Sequence, residues 1–252
     1  MHPKRACQAF PLDAQPFFRS LSRDDISTRM PTAGPRRGFF DLWSRVYDFP
    51  PVQAATYRPV HNAVLRAVAS LGDSGLRRIA DIGCGTGGLL QRLRREAPDA
   101  VVVGVDFSEG MLGQAAKRQS GAVLVRGDAC RLPLRSEAFD LVTTTEAFHW
   151  FPDQDAALSE FYRVLVPGGH ALFALVNPLT PLVGRIAHAA SLLTGQPFYW
   201  PSRAEIRDRL RAAGFEVEFQ RWIFRVPGFL LPPSLTQAKR TADSARRTDS
   251  AA

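Results

Sequence analysis

The chain has 252 residues, 45% of them hydrophobic and 22% charged, with a net charge of +8. That length and composition suit one soluble α/β domain with tails. Cys7, Cys84 and Cys130 are far apart and include no C-x-x-C pair, which excludes a disulfide framework and points to a reducing, intracellular setting.

Residues 1–38 scatter Pro, Gly and Arg without a period and hold seven Lys/Arg against three Asp/Glu, which reads as a basic, disordered arm. The positive charge also admits nucleic acid or an anionic membrane as a partner, a nucleic-acid arm being the lesser reading. The N-terminus lacks the apolar stretch of a secretory signal, so the expected location is cytoplasmic. From Phe39 the chain turns aromatic (GFFDLWSRVYDFPPVQAATYRPV). PVHNAVLRAVASLG then sets Val60, Ala63, Val64, Ala67, Val68 and Leu71 at helical spacing. Residues 39–76 are accordingly read as an aromatic and helical lid segment.

Residues 77–240 read as the main domain. RRIADIG is a short buried strand, followed by a helix over 87–97. AVVVGVD is a second strand, after which Ser108 caps a helix that runs to about Gln119. AVLVRGD and AFDLVTTT are the third and fourth strands. DQDAALSEFYRVL is a helix, and PGG turns the chain into HALFALV, a fifth strand. Repeated β-α-β units with continuous apolar strands build a parallel sheet covered on both faces, with the ligand at one edge. Residues 177–201 interrupt this rhythm as an insertion with a helical middle and an aromatic end. The apolar run there is broken by Asn177, Pro178, Pro181, Arg185 and His188, short of the ~18 residues of a membrane span. SRAEIRDRLRAAG resumes as a helix, FEVEFQRWIFRV as a strand and SLTQAKR as a poor final strand. Residues 241–252 read as a disordered tail.

The informative stretch is ADIGCGTGGLL, residues 80–90. Gly83, Gly85 and Gly88 satisfy the dinucleotide pattern G-x-G-x-x-G. Gly83, Gly85 and Gly87 equally satisfy a G-x-G-x-G loop for a different adenosine cofactor. Either loop lets the backbone approach a ligand and aims N–H groups at its polar end. Asp106, at the end of the second strand, suits a ribose diol, since a carboxylate accepts both hydroxyl protons. To this point NAD and S-adenosylmethionine fit alike. Asp81, two residues ahead of Gly83, would oppose a pyrophosphate but suit a ligand carrying sulfonium and ammonium groups. The third strand ends in GDA, where Asp128 suits the exocyclic amine of adenine and the Ala129 N–H a ring nitrogen. LPLRSEAFDLV and RVLVPGGHALF follow in order.

Together with VVGVDFSEGML and EAFHWFPD, these segments resemble the class I S-adenosylmethionine-dependent methyltransferases. The resemblance is to the type 11 branch, which holds ubiquinone- and menaquinone-biosynthesis enzymes and many small-molecule methyltransferases. It covers residues 77–176 and implies a Rossmann-like, doubly wound, mostly parallel seven-stranded sheet with helices on both faces and an antiparallel last strand. FEVEFQRWIFRV and SLTQAKR leave the order of the last strands open. The implied cofactor is S-adenosylmethionine, with S-adenosylhomocysteine (SAH) as product. Asp81, Gly83, Cys84, Gly85 and Gly87 would form the methionine-end loop, and Asp106 would hold the ribose. Phe107 and Met111 would flank the adenine or else belong to the core, and Asp128 and Ala129 would meet its edge. Cys84 reads as a small loop residue, and no residue reads as a metal ligand.

Methyl transfer is an in-line displacement, so alignment and exclusion of water matter first, and a base only where the acceptor must lose a proton. His149, in TEAFHWFPD, is the candidate base, with a positioning or structural histidine as the alternative; Glu146 is a weaker candidate. Trp150 and Phe151 either wall the pocket or belong to the core. TTTEAFHW stands where many amino-group methyltransferases carry Asn/Asp-Pro-Pro-Tyr/Phe, which disfavours adenine or glutamine as acceptor. Tyr47, Tyr57, Phe198, Tyr199 and Trp200 read as an apolar lid over a small lipophilic or aromatic acceptor, or as rings that pack a helix onto the sheet. The alternatives to an O-, C- or N-methyltransferase are a non-catalytic S-adenosylmethionine-binding protein, an RNA methyltransferase and an NAD-dependent oxidoreductase.

Overall fold

The IADI run ahead of the glycines becomes an interior strand of a seven-stranded sheet. A computed structural model describes residues 57–71, 75–193, 197–225 and 231–241. The expected arm, the aromatic run 39–56 of the lid segment and all but Thr241 of the tail lie outside the described residues. Strands β1 (Arg78–Ile82), β2 (Val101–Asp106), β3 (Val123–Arg126), β4 (Phe139–Thr145) and β5 (Leu165–Val176) run parallel. They are joined by β6 (Phe215–Trp222) and β7 (Pro233–Arg240) in the order β3-β2-β1-β4-β5-β7-β6, with β7 antiparallel to both its neighbours. This is the doubly wound sheet expected from the sequence.

Helices cover both faces, which is why β1 buries Ile79, Ala80, Asp81 and Ile82 in succession and does not alternate. On one face α1 (Arg58–Ser70) and α2 (Gly88–Glu96) bring Val60, Val64, Leu89 and Leu93 onto Ile79, Val102 and Leu141. On the other, α4 (Gln154–Val164) and α6 (Arg203–Ala212) bring Leu158, Phe161 and Ile206 onto Ile82, Val103 and Phe173. Each fully buried Leu or Phe contributes about 1.5–3 kcal/mol. The remaining helices are α3 (Glu109–Lys117), capped by Ser108 Oγ accepting from Met111 N at 3.1 Å, and α5 (Pro181–Leu193) in the 177–201 excursion.

Three boundaries differ from the sequence reading. The α3 helix stops at Lys117, and Gln119 turns left-handed at φ 47°. The PGG tripeptide does not precede β5 but lies inside it, where the register against β4 slips between Phe139 and Leu141 and Gly168 takes φ +79°. The poor strand SLTQAKR is a full strand buried between two others. Polar side chains bond sideways to the neighbouring strand: Gln237 Nε2 donates to Glu218 Oε2 at 2.8 Å, and Thr236 Oγ1 accepts from Gln220 Nε2 at 3.1 Å.

Right-handed crossovers collect the C-terminal ends of β1–β5 on one edge. The excursion 177–201 leaves from that edge and is held at its base by one buried side chain. Asn177 Nδ2 donates to Pro201 O at 2.6 Å, and its Oδ1 accepts from Ser234 Oγ.

Candidate active site

The loop after β1 sorts its four glycines by conformation. Gly83, Gly85 and Gly87 are all left-handed, at φ +74°, +54° and +78°, a region that side chains other than glycine's enter only with strain. Gly88 is the first residue of α2, and its missing Cβ serves packing: a Cβ there would stand 3.3 Å from His61 Cε1 of α1. The G-x-G-x-G reading therefore describes the loop, and the fourth glycine belongs to the seat of α1. A Cβ on Gly85 would meet nothing within 4 Å, so the middle of the loop is open to a ligand. The loop is anchored by Gly83 N and Cys84 N, which both donate to Val105 O at 2.8 and 3.1 Å.

Asp106 lies at the end of β2 and ties the neighbouring backbone together. Its Oδ2 accepts from Gly85 N and its Oδ1 from Ser108 N, each at 2.9 Å. Gly127 N donates to Asp106 O at 3.0 Å, which brings the end of β3 alongside. There Asp128 Oδ1 accepts from Cys130 N at 2.9 Å, beside a buried Ala129. Phe107 is half-buried, whereas Met111 is buried under the first turn of α3.

Asp81 is only 2% exposed and opposes Thr143 of β4, whose Oγ1 donates to Asp81 Oδ1 at 2.8 Å. Burial pushes its pKa up to about 7; the Thr143 hydrogen bond opposes this shift and the nearby Asp106 charge adds to it. A cation set against this pair would draw the Asp81 carboxyl back to its ionised form. An open glycine backbone and two acids, one of them lacking compensation for its burial, fit a cationic adenosyl ligand. Cys84 is buried and its thiol is held well above the ordinary range by burial, then by the Asp106 and Asp81 charges, so it is no nucleophile.

Across the β1/β4 crevice the chemistry changes. Glu146 follows β4 in a left-handed conformation, φ 52°, held by its N–H donating to Ala174 O at 2.8 Å. Its Oε1 is buried without a hydrogen-bond partner, and burial raises its pKa to about 8 against an opposing backbone hydrogen bond from Val176. The 3₁₀ turn Phe148–Trp150 then carries His149, 6% exposed, its Nδ1 also buried and unpartnered. Burial lowers the His149 pKa to about 3, so its ring is neutral. The centroids of Trp150, Trp200 and Phe198 stand 5.1, 5.5 and 6.2 Å from its own, forming an aromatic cage.

The crevice is narrow because Gly83 lacks a side chain. A Cβ there would lie 2.3 Å from Ala147 Cβ and 3.7 Å from Phe151, so the glycine lets the turn after β4 close on the loop. Phe151 is a core residue, in edge contact with Phe148 and Phe161, whereas Trp150 joins the His149 cage. Of the lid candidates, Phe198 and Trp200 reach that cage. Tyr199 turns away, its hydroxyl donating to Glu205 Oε1 at 2.6 Å. Tyr57 lies at the start of α1 beside His61, and Tyr47 is outside the described residues.

Four supporting residues were not singled out from the sequence. Thr143 and Asn177 carry no motif. Gln154 clamps the excursion to the turn, its Nε2 donating to Tyr199 O at 2.8 Å and Phe148 O at 3.2 Å. Gly104 had a signal, a glycine inside a β-branched strand: a Cβ there would strike Leu90 Cδ1 at 2.5 Å and Cys84 Sγ at 3.0 Å.

Comparison with known proteins gives matches of three kinds. A family described as a methyltransferase domain matches residues 80–173. A demethylmenaquinone methyltransferase of Thermus thermophilus is 32% identical over 185 residues, 64% of this chain and 84% of that protein. A malonyl-[acyl-carrier protein] O-methyltransferase of Methylococcus capsulatus is 35% identical over 165 residues, and the match spans 64% of this chain but only 60% of that protein. Among solved structures, the magnesium protoporphyrin IX methyltransferase of Synechocystis with bound SAH shares the fold at TM-score 0.59 and 21% identity, covering 81% of this chain and 94% of that one.

Proposed function

The chain belongs to the class I S-adenosylmethionine-dependent methyltransferases, and on that premise we propose that it methylates O, C or N of a small lipophilic or aromatic acceptor at the β4–β5 end of the sheet. S-adenosylmethionine is its cofactor, and when bound it supplies an electrophilic methyl group on a sulfonium. In this reading Asp81 and the loop of Gly83, Gly85 and Gly87, open at Gly85, hold its methionine end. Asp106 takes the ribose, and Asp128, Ala129 and Phe107 the adenine. The observation that carries the reading is the close approach of Gly83 to the Ala147–Phe151 turn, which sets the glycine loop against the His149 cage.

Burial reverses the order of the two base candidates. A base works best with a pKa near the working pH. His149, at about 3, is neutral and positions the acceptor through its ring and buried Nδ1. Glu146, at about 8, is the group that takes a proton where the acceptor must lose one, at its unpartnered Oε1. The aromatic cage supports a lipophilic acceptor, as do relatives named for quinone and acyl-carrier substrates. We assign residues 77–240 as the catalytic domain, with 177–201 as its acceptor-side insertion. The dispersed cysteines support a cytoplasmic location. Among the described residues no helix is long and apolar enough to cross a membrane.

The test is calorimetric titration with S-adenosylmethionine, SAH and NADH, with Asp106→Ala as control. The expected result is binding of both adenosyl ligands, at least about tenfold weaker in the variant, which loses two loop hydrogen bonds. Binding of NADH alone would sink the assignment.

A further inference from the structure

A helix packed on a protein turns its large apolar side chains inward and its small or polar ones to solvent. Helix α5 does the reverse. Its inner face carries Gly184, His188 and Ser191. A Cβ on Gly184 would stand 3.0 Å from Pro178 Cγ and 3.1 Å from Trp200 O, so the helix presses close on the chain that cages His149. Polar contacts fasten it there: His188 Nδ1 donates to Phe198 O at 2.7 Å, and Phe198 N donates to Ser191 Oγ at 3.2 Å. The outer face carries Leu182, Ile186 and Leu193, exposed by 64%, 61% and 90%, with Leu179 and Leu192 beside them. Among the described residues, every large apolar side chain with such exposure belongs to this one segment.

The helix itself carries charge of one sign. Arg185 is the only charged residue of α5, and no acid occurs from 177 to 204. Between 177 and 212 there are five arginines and two acids. Both acids are engaged, Glu205 by the Tyr199 hydroxyl and Asp208 by Arg207 at 3.8 Å. Arg209 pairs with Asp155 at 3.4 Å, as Arg207 does with Asp208, so the charge carried by the helix itself is that of Arg185. A helix of 13 residues is about 20 Å long, too short to span a bilayer core of about 30 Å but able to lie along its surface.

We propose that the outer face of α5 docks on an anionic phospholipid bilayer, with Leu182, Ile186 and Leu193 among the acyl chains and Arg185 toward the headgroups. The proposal rests on the lipophilic-acceptor reading above. Because the inner face of the same helix seats the His149 cage, docking brings the acceptor side of the enzyme to the phase in which a lipophilic acceptor dissolves.

The experiment is co-sedimentation of the full chain with vesicles of three parts phosphatidylcholine to one part phosphatidylglycerol, beside phosphatidylcholine alone. SAH affinity is measured in parallel. The wild type is expected to partition onto the anionic vesicles. Leu182→Ser/Ile186→Ser/Leu193→Ser should lower that partition roughly tenfold or more while leaving SAH affinity unchanged, which shows that the variant is folded. Arg185→Gln should lower it by a few-fold, as one surface cation does. The proposal fails if the wild type stays in the supernatant, or if the triple variant sediments as the wild type does. It also fails if sedimentation velocity finds a wild-type dimer that the triple variant dissolves, since a second copy then occupies the face. Loss of SAH binding by the wild type would instead strike the methyltransferase reading, with the vesicle result standing.

Discussion

The two sides of the crevice differ in how their polar groups are satisfied. On the cofactor side each singled-out acid is engaged within the protein: Thr143 donates to Asp81, Gly85 and Ser108 to Asp106, and Cys130 to Asp128. On the acceptor side Thr144 and Thr145 Oγ1, Glu146 Oε1, His149 Nδ1 and Trp200 Nε1 are buried without partners. A buried polar atom left unpaired costs about 1–3 kcal/mol. The first side is therefore built in advance, and the second retains unmet hydrogen-bonding capacity where an acceptor would bind. A shape common to many methyltransferases can be fixed early; one that suits a particular acceptor is completed by that acceptor.

The largest expected effect comes where the two sides touch. Gly83→Ala puts a Cβ 2.3 Å from Ala147 at a left-handed φ, whereas Gly85→Ala meets only the backbone strain. The first should cost about 3 kcal/mol or more and the second about 1–2 kcal/mol. Thermal unfolding of the pair measures the gap, and equal losses would mean that the crevice is not closed at Gly83. Next in size, Glu146→Gln should lower the methylation rate of a proton-losing acceptor by about 10²-fold and leave SAH affinity as it was. A base must be ionised to act, so the wild-type rate should climb as pH rises toward about 8 and then level off, and the variant's profile should be flat. If SAH binding weakens as well, the two sides are not separable. The smallest effect concerns Asp81, whose burial raises its pKa to about 7. Below that value the carboxyl is protonated and attracts a cationic ligand poorly. S-adenosylmethionine affinity should therefore fall by up to about tenfold as pH drops from 7 to 6, and Asp81→Asn should abolish the slope.

The cofactor side was legible in the sequence because its chemistry is backbone chemistry. A ligand that must meet main-chain N–H groups demands glycine at fixed offsets, and Asp106 stands at the end of the strand beside that loop. The acceptor side was not, because its properties come from residues far apart in sequence. The His149 pKa falls because Phe198 and Trp200, some fifty positions later, seal the ring away from water. Tyr199, between them, faces the other way, and no local pattern separates the three. The last strand was obscured for a related reason: Ser234, Thr236 and Gln237 look like loop residues until their partners on neighbouring elements are known.

Asn177 has a consequence for the rings that surround His149. It joins the departure of the excursion to its return at Pro201 and is itself held by Ser234 of the sheet. The two ends of the excursion are thereby held to one strand of the sheet, and Tyr199 N, donating to His149 O at 2.9 Å, ties its far end to the turn after β4. The rings beside His149 are thus positioned by the frame of the sheet and not by the helix that lies between them and Asn177.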